Sequence, residues 1–125
     1  MLRKFFQNTR KPTGFLGRLV LRTMNGGHTP LSSWGLSLIH PAPNARVLDV
    51  GCGGGANIAR LLRCCPKGFV NGVNCSPASM AFSKQKNAAA LGRRCDIRQG
   101  DVGTLPYAEG SFDLVTAFET VYFWP

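Results

Sequence analysis

The stretch Val47-Leu48-Asp49-Val50-Gly51-Cys52-Gly53-Gly54-Gly55-Ala56 is the most informative part of this chain. It continues an apolar, strand-like run over residues 45–50, breaks into alternating glycines, and leads into a helix-like run over residues 56–63. A strand, a tight loop and a helix start in this order let the backbone come close to a small charged ligand. Asp49, two positions before the first glycine, stands where the strand is expected to end. The stretch therefore predicts a ligand-binding strand–loop–helix unit.

Strands and helices alternate along the rest of the chain. The predicted strands cover residues 45–50, 69–74, 95–99 and 112–118, and the predicted helices between them cover residues 55–64 and 77 to about 91. Ser76 is placed to cap the second helix, with Pro77 at its first position and Gly92 after its end. Strands that alternate with helices favour an α/β fold with a parallel sheet and right-handed crossovers.

Two more helices are expected before the first strand. Apolar residues at near-helical spacing predict one helix over residues 15–24. Thr29 and Pro30 supply an N-cap and a first-turn proline for another that extends to Ile39. The expected organisation is an N-terminal helical appendage, residues 1–44, followed by an α/β domain, residues 45–125.

Composition and charge narrow the classes of function. The chain has 125 residues, of which 44% are hydrophobic and 17% charged, which is typical of one modest globular domain. Its net charge is +9, but the 15 basic residues are spread along the chain rather than clustered among aromatics. A solvated basic face is therefore favoured over a nucleic-acid-binding surface.

The cysteine pattern argues against a metal site. Five cysteines without paired spacing and only two histidines do not form a zinc motif, so reduced cysteines in a cytoplasmic protein are expected. A membrane helix is not expected, because no run approaches about 18 apolar residues. The basic N-terminus raises the alternative of a transit peptide, although Arg18 and Arg22 interrupt its only apolar run.

The Asp49-x-Gly51-x-Gly53-x-Gly55 pattern resembles the first motif of the class I S-adenosylmethionine-dependent methyltransferases, in particular the small bacterial type 11/25-like members. Further segments resemble the same family: Gln99-Gly100-Asp101-Val102, Leu105-Pro106-Tyr107, Gly110-Ser111-Phe112-Asp113-Leu114-Val115, and the N-terminal pair Met24-Asn25-Gly26-Gly27-His28 and Trp34-Gly35. The resemblance implies a three-layer Rossmann-like fold with strand order 3-2-1-4, the first four strands of a seven-stranded sheet. It also implies S-adenosylmethionine as the cofactor.

The resemblance assigns roles to individual residues. Asp49 holds the ammonium group of the cofactor, partly through water, and the glycines admit its amino acid portion and ribose. Asn74 stands where the family has an acid for the ribose hydroxyls, so that contact loses its charge. Asp101 binds the amino group of the adenine, and the backbone amide of Val102 binds a nitrogen of the adenine ring. The predicted cofactor-binding residues are Asp49, Gly51, Cys52, Gly53, Gly55, Asn74, Cys75, Asp101, Val102 and Phe118.

Several of these residues have simpler explanations. Asp49 could cap the following helix, Gly53 could serve only the turn, and Asp101 is a common turn residue. Glu119 is the candidate base or substrate-orienting group. The residues expected to line the substrate pocket are His28, Trp34, Tyr122 and Trp124. Trp34 could instead pack over the sheet, and Tyr122 and Trp124 could pack on the rest of the fold.

Two other functions compete with a methyltransferase acting on a small molecule. Gly51-x-Gly53-x-x-Ala56 also satisfies the dinucleotide pattern, which predicts half of a nicotinamide-dependent oxidoreductase, but Asp49 has no part in that pattern. The chain ends at Pro125, soon after the fourth strand, so we expect only the cofactor-binding half of the family fold. The fourth strand would then be an exposed edge. That edge suggests a homodimer, a complementing subunit, or a non-catalytic interaction module.

Overall fold

A computed structural model describes residues 29–118. Its elements, in chain order, are α1 (Thr29–Ser37), β1 (Arg46–Val50), α2 (Ala56–Cys64), β2 (Phe69–Asn74), α3 (Pro77–Lys86), β3 (Cys95–Gln99) and β4 (Leu114–Thr116). The helix predicted over residues 15–24 lies outside the described residues. So do four of the predicted site residues, His28, Glu119, Tyr122 and Trp124.

The four strands form one parallel sheet of order β3-β2-β1-β4. This arrangement confirms the predicted Rossmann-like α/β fold. Within the register, Asp49 of β1 lies beside Gly72 of β2 on one side and beside Thr116 of β4 on the other. Because the strands are parallel, their carboxyl ends meet at one edge of the sheet, where the ligand of such folds binds.

The two faces of the sheet are covered differently. On one face, the helices pack on a core that includes Val47, Val70 and Ile97 of the strands and Ile58 and Leu61 of α2. On the other face, part of the segment that follows β3 covers a smaller cluster. Its strand residues are Leu48, Val50 and Val73, and the residues packed on them are Val102, Leu105, Tyr107 and Phe112. The alternation of side chains along each strand produces this division.

Helix α3 ends at Lys86, five residues before the predicted end. The residue after it is Asn87, whose backbone N–H donates to the carbonyl oxygen of Ser83 at 3.1 Å. The Asn87 side chain is buried, and its Nδ2 donates both to the Ser83 carbonyl within α3 and to the Gly55 carbonyl, so it ties the end of α3 to the start of α2. The predicted N-cap is confirmed, since Ser76 Oγ accepts from the backbone N–H of Ser79 at 3.3 Å.

Strand β4 is the edge of the described sheet and is shorter than predicted. Only three residues, 114–116, pair with β1, and Val115 is 57% exposed. Leu114 and Phe118 nevertheless pack against the helix-covered core, and Phe112 packs against the smaller cluster. Of the three residues of β4, Val115 is the exposed one, since Leu114 is half-buried and Thr116 is buried.

Candidate functional site

Three glycines shape the loop between β1 and α2. Gly51, Gly53 and Gly55 have φ angles of 70°, 53° and 84°, a backbone region that residues with a Cβ rarely adopt. The N–H groups of Gly51 and Cys52 both donate to the carbonyl oxygen of Val73, at 2.8 and 3.2 Å, which fixes the loop to the end of β2. A Cβ on Gly53 would lie 4.0 Å from its nearest neighbour, the carbonyl oxygen of Gly51, so space is open there.

Gly55 is required for a different reason. A Cβ at this position would collide with Ser83 Oγ and lie 2.7 Å from Asn87 Nδ2. Asn87 Nδ2 donates to the carbonyl oxygens of Gly55, at 3.1 Å, and of Ser83, at 3.0 Å. The end of α3 therefore supports the glycine loop and the start of α2. The sequence gives no signal for this role of Asn87, because the residue lies inside the predicted helix.

Asp49 is the central charged group of this edge. It is 1% exposed, and its Oδ1 accepts a hydrogen bond from Thr116 Oγ1 at 2.8 Å. Its Oδ2 is also buried and has no hydrogen-bond partner among the described residues. Burial raises the pKa of Asp49 to about 7, although the Thr116 hydroxyl opposes the shift. A buried carboxylate oxygen without a donor is costly, so the site is suited to receive one from a ligand.

The alternative that Asp49 caps the next helix is wrong. The N-cap of α2 is Gly55, which receives no side-chain capping hydrogen bond, and the first turn of α2 carries no acidic residue. A helix start that no side chain caps and no acidic residue opposes suits an anionic group.

Cys52 has a packing role in this structure. Its side chain is buried against Gly72, where an added Cβ would lie 3.2 Å from the Cys52 sulfur and collide with Ile58 Cδ1. Burial, together with the charge of Asp49, raises the pKa of the Cys52 thiol to about 12. Cys52 therefore contributes a neutral, closely packed side chain beneath the loop.

Asn74 and Cys75 lie at the end of β2, where the sequence placed the ribose contact. Asn74 Oδ1 accepts from the backbone N–H of Ser76 at 2.9 Å, so the amide oxygen already helps to shape the turn into α3. The backbone of the same turn is tied to β3, since Gln99 Nε2 donates to the carbonyl oxygen of Cys75 at 3.3 Å. Because an amide oxygen can accept two hydrogen bonds, this turn leaves to a ligand one acceptor position on Asn74 Oδ1 as well as the amide nitrogen.

Asp101 and Val102 follow β3 and differ in exposure. Asp101 is exposed, and its Oδ1 accepts from the backbone N–H of Gly103 at 2.7 Å, as expected of a turn residue. That bond uses one carboxylate oxygen. Val102 is half-buried against the cluster of Leu48, Val50 and Val73. Both residues stand at the same edge of the sheet as Asp49 and Asn74.

The remaining described site residues lie near α1. Phe118 approaches Gly35, where an added Cβ would lie 3.1 Å from its ring. Trp34 is 63% exposed, so it does not pack over the sheet as one alternative predicted. Thr116, which the sequence analysis left without a role, joins the site through Asp49.

The described part of the chain shows neither a metal centre nor a membrane span. No group of three His, Cys, Asp or Glu residues within it is arranged to ligate a metal ion. None of the helices between Thr29 and Phe118 combines the length and the apolar character that crossing a bilayer requires.

Comparison with known proteins gives consistent matches. A family model described as "Methyltransferase domain" matches residues 47–125. The ubiquinone biosynthesis O-methyltransferase of Azorhizobium caulinodans is 36% identical over 83 residues, which cover 66% of this chain and 32% of that protein. The nocamycin O-methyltransferase of Saccharothrix syringae is 35% identical over 92 residues, covering 72% and 32%.

The fold resembles solved structures at lower sequence identity. One is an S-adenosyl-L-methionine-dependent methyltransferase from Methanococcus maripaludis, described as putative (TM-score 0.69, 22% identity), with 85% of this chain and 52% of that chain covered. Another is the geranyl diphosphate C-methyltransferase of Streptomyces coelicolor, solved with S-adenosyl-L-homocysteine (TM-score 0.64, 18% identity), with 72% and 35% covered.

These matches span only part of the known proteins. The chain covers 32%, 23% and 32% of the length of the first three curated relatives. The family model nevertheless begins at Val47 and includes the glycine loop, the turn after β2 and the segment after β3. The match favours a methyltransferase over the nicotinamide-dependent alternative. This chain belongs to the S-adenosylmethionine-dependent methyltransferase family, as its Asp49–Gly55 motif predicted.

Proposed function

We propose that this chain binds S-adenosylmethionine at the carboxyl edge of its sheet and supplies the cofactor-binding part of an enzyme that methylates a small molecule. The observation that carries this proposal is the Asp49 carboxylate, whose Oδ2 is buried without a partner at the start of a loop of left-handed glycines. A ligand ammonium group would provide the missing donor and the compensating positive charge.

The other groups of the edge suit the rest of the cofactor. The carboxylate of the cofactor suits the backbone amides at the start of α2. No side chain caps this helix start, and its first turn carries no acidic residue. Open space at Gly53 lets the ligand approach the backbone. Asp101 and Val102 are proposed for the adenine, with one Asp101 oxygen left after its bond to Gly103.

The ribose end of the site is proposed to be weaker than in relatives with an acid there. The Ser76 amide uses one of the two acceptor positions of the Asn74 oxygen, so the ribose hydroxyls meet a neutral amide with one oxygen acceptor position left. Replacing a charged acceptor by this group costs about 1–2 kcal/mol of binding, by the usual difference between charged and neutral hydrogen bonds. We expect moderate rather than tight affinity.

When bound, S-adenosylmethionine supplies a methyl group on a sulfonium centre that a nucleophile can displace. The residues of this chain then act by holding the reactant in place, and proximity accounts for most of the rate. A base is needed only where the acceptor must lose a proton, and Glu119 is proposed for that role. His28, Trp34, Tyr122 and Trp124 are proposed to line the acceptor pocket. The names of the relatives include both O- and C-methyltransferases, so the acceptor is proposed only as a small molecule.

Calorimetry with S-adenosylmethionine, S-adenosylhomocysteine and NAD tests the proposal. We expect heat from the first two and none from NAD. Gly53→Ala and Gly92→Ala form a matched pair, because both positions have positive φ and open space around a Cβ. Each variant bears a backbone strain of about 1–2 kcal/mol. Only Gly53→Ala should also weaken binding, by about ten-fold or more. A folded wild-type chain that binds neither adenosyl ligand would refute the proposal.

The edge of β4 is the proposed site of association with a second copy or a complementing chain. Its support is the 57% exposure of Val115 on an edge strand. Sedimentation velocity of the wild type and of Val115→Lys tests this, since lysine on an edge opposes pairing. A wild-type chain that sediments as a monomer at all concentrations would contradict it.

We also propose a cytoplasmic location, supported by five cysteines that form no disulfide and testable by cell fractionation.

A further inference from the structure

We propose that Thr116 is a positioning residue for Asp49, which holds one carboxylate oxygen so that the other is left for the cofactor's ammonium group. The proposal rests on the function proposed above. The two residues are paired across parallel strands β1 and β4, and Thr116 Oγ1 donates to Asp49 Oδ1 at 2.8 Å. Both side chains are buried, with exposures of 6% for Thr116 and 1% for Asp49.

The surroundings of Asp49 make this hydroxyl decisive. On the β2 side its neighbour is Gly72, which has no side chain, and the loop contributes the thiol of Cys52. Burial and the nearby charge of Asp49 raise the pKa of the Cys52 thiol to about 12, so the thiol stays neutral at ordinary pH. Helix α3 contributes the uncharged Ser83 beneath the loop. Within residues 29–118, Thr116 supplies the one side-chain hydrogen bond that the Asp49 carboxylate receives.

This arrangement separates the two oxygens of one carboxylate. Oδ1 is bound within the protein, while Oδ2 is buried and has no partner. A hydrogen bond to the ionised form also favours ionisation, so the hydroxyl lowers a pKa that burial has raised. Removing the hydroxyl should therefore both release the carboxylate and make it harder to ionise.

Two variants of Thr116 test this directly. Thr116→Val keeps the shape of the side chain but removes the hydroxyl, and Thr116→Ser keeps the hydroxyl. Carbon-13 NMR of the Asp49 carboxyl in the full chain, without ligand, should show its pKa raised by about one in Thr116→Val. Thr116→Ser should titrate close to the wild type. Urea unfolding establishes that each variant is folded.

Binding of S-adenosylhomocysteine across the pH range gives the second measurement. With the Asp49 pKa at about 7 in the wild type, the Thr116→Val chain should bind about five-fold more weakly at neutral pH. The difference should narrow as the pH rises and both chains ionise. The ligand's own amino group titrates identically in each experiment, so the ratio between variants reports the protein.

The outcomes are distinguishable. An unchanged Asp49 titration in Thr116→Val would overturn the inference, whatever the calorimetry shows. A loss of affinity that is equal at every pH and is not rescued in Thr116→Ser would also overturn it, because it indicates a merely structural role. If the wild type binds no adenosyl ligand, the proposed function fails and the ligand-directed role of Thr116 fails with it. The NMR titration still decides whether Thr116 holds Asp49.

Discussion

The stability of the Asp49→Asn variant relative to the wild type is predicted to increase as the pH rises. The folded carboxyl has its pKa raised from 3.8 to about 7 by burial, so the folded state retains a proton that the unfolded state releases. Stability therefore falls as the pH rises through this window and becomes constant above it. A neutral asparagine removes this dependence. It still offers an oxygen to the Thr116 hydroxyl.

The size of the effect follows from the pKa difference. Each tenfold change in an equilibrium constant is worth about 1.4 kcal/mol. A pKa difference of about three between the folded and unfolded states therefore corresponds to at most about 4 kcal/mol of stability. The asparagine amide leaves a buried donor without a partner, which costs about 1–3 kcal/mol at every pH. The free energy of unfolding of the variant relative to the wild type should thus increase by up to about 4 kcal/mol between about pH 4 and pH 7, and then level off.

Urea unfolding of both chains, followed by circular dichroism across this pH range, measures the difference. Asp113→Asn is the control at the other end of β4. The backbone N–H of Arg46 donates to Asp113 Oδ2 at 2.9 Å and lowers the pKa of that carboxyl. The Asp113 carboxylate therefore stabilises the fold above the ordinary pKa of an aspartate, and this stabilisation is lost only in acid. The Asp113→Asn control should be less stable than the wild type by an amount that does not change with pH near neutrality. A pH-independent difference for Asp49→Asn would refute the reasoning.

The same variant should bind the cofactor roughly ten- to a hundred-fold more weakly, since it loses a charged acceptor.

Three other predictions concern packing and exposure. Asn87→Ala removes the hydrogen bond to the Gly55 carbonyl and should lower the free energy of unfolding in urea by about 1–3 kcal/mol; an unchanged value would contradict the loop-supporting role. Gly72→Ala drives a methyl group into Ile58 and should cost about 1–3 kcal/mol in thermal unfolding, and a neutral result would show that the core relaxes. Iodoacetamide should modify the exposed Cys64 well before the three buried cysteines, as mass spectrometry of the native chain can show.

The strands were predictable because their signals are local. Local patterns in the sequence predicted all four strands, and β2 and β3 have the predicted bounds. Strand order came from the family resemblance, because one sequence without a partner does not reveal which strands pair. The end of α3 was wrong for a different reason. Asn-Ala-Ala-Ala-Leu favours a continuing helix by propensity, but Asn87 is bonded to a carbonyl 32 residues earlier in the chain.

The same distinction separates the predicted from the missed parts of the site. Asp49 and the glycines were predictable because their motif is contiguous and their backbone requirements follow from residue type. Thr116 lies 67 residues from Asp49, and a threonine in a strand usually needs no explanation beyond strand propensity. Its role appears only when the register places it beside a buried carboxylate. A site at the edge of a parallel sheet combines the ends of strands that are remote in sequence. Its motif therefore indicates the family and with it the proposed ligand, while the residues proposed to hold the motif in place have to be found from the strand pairing.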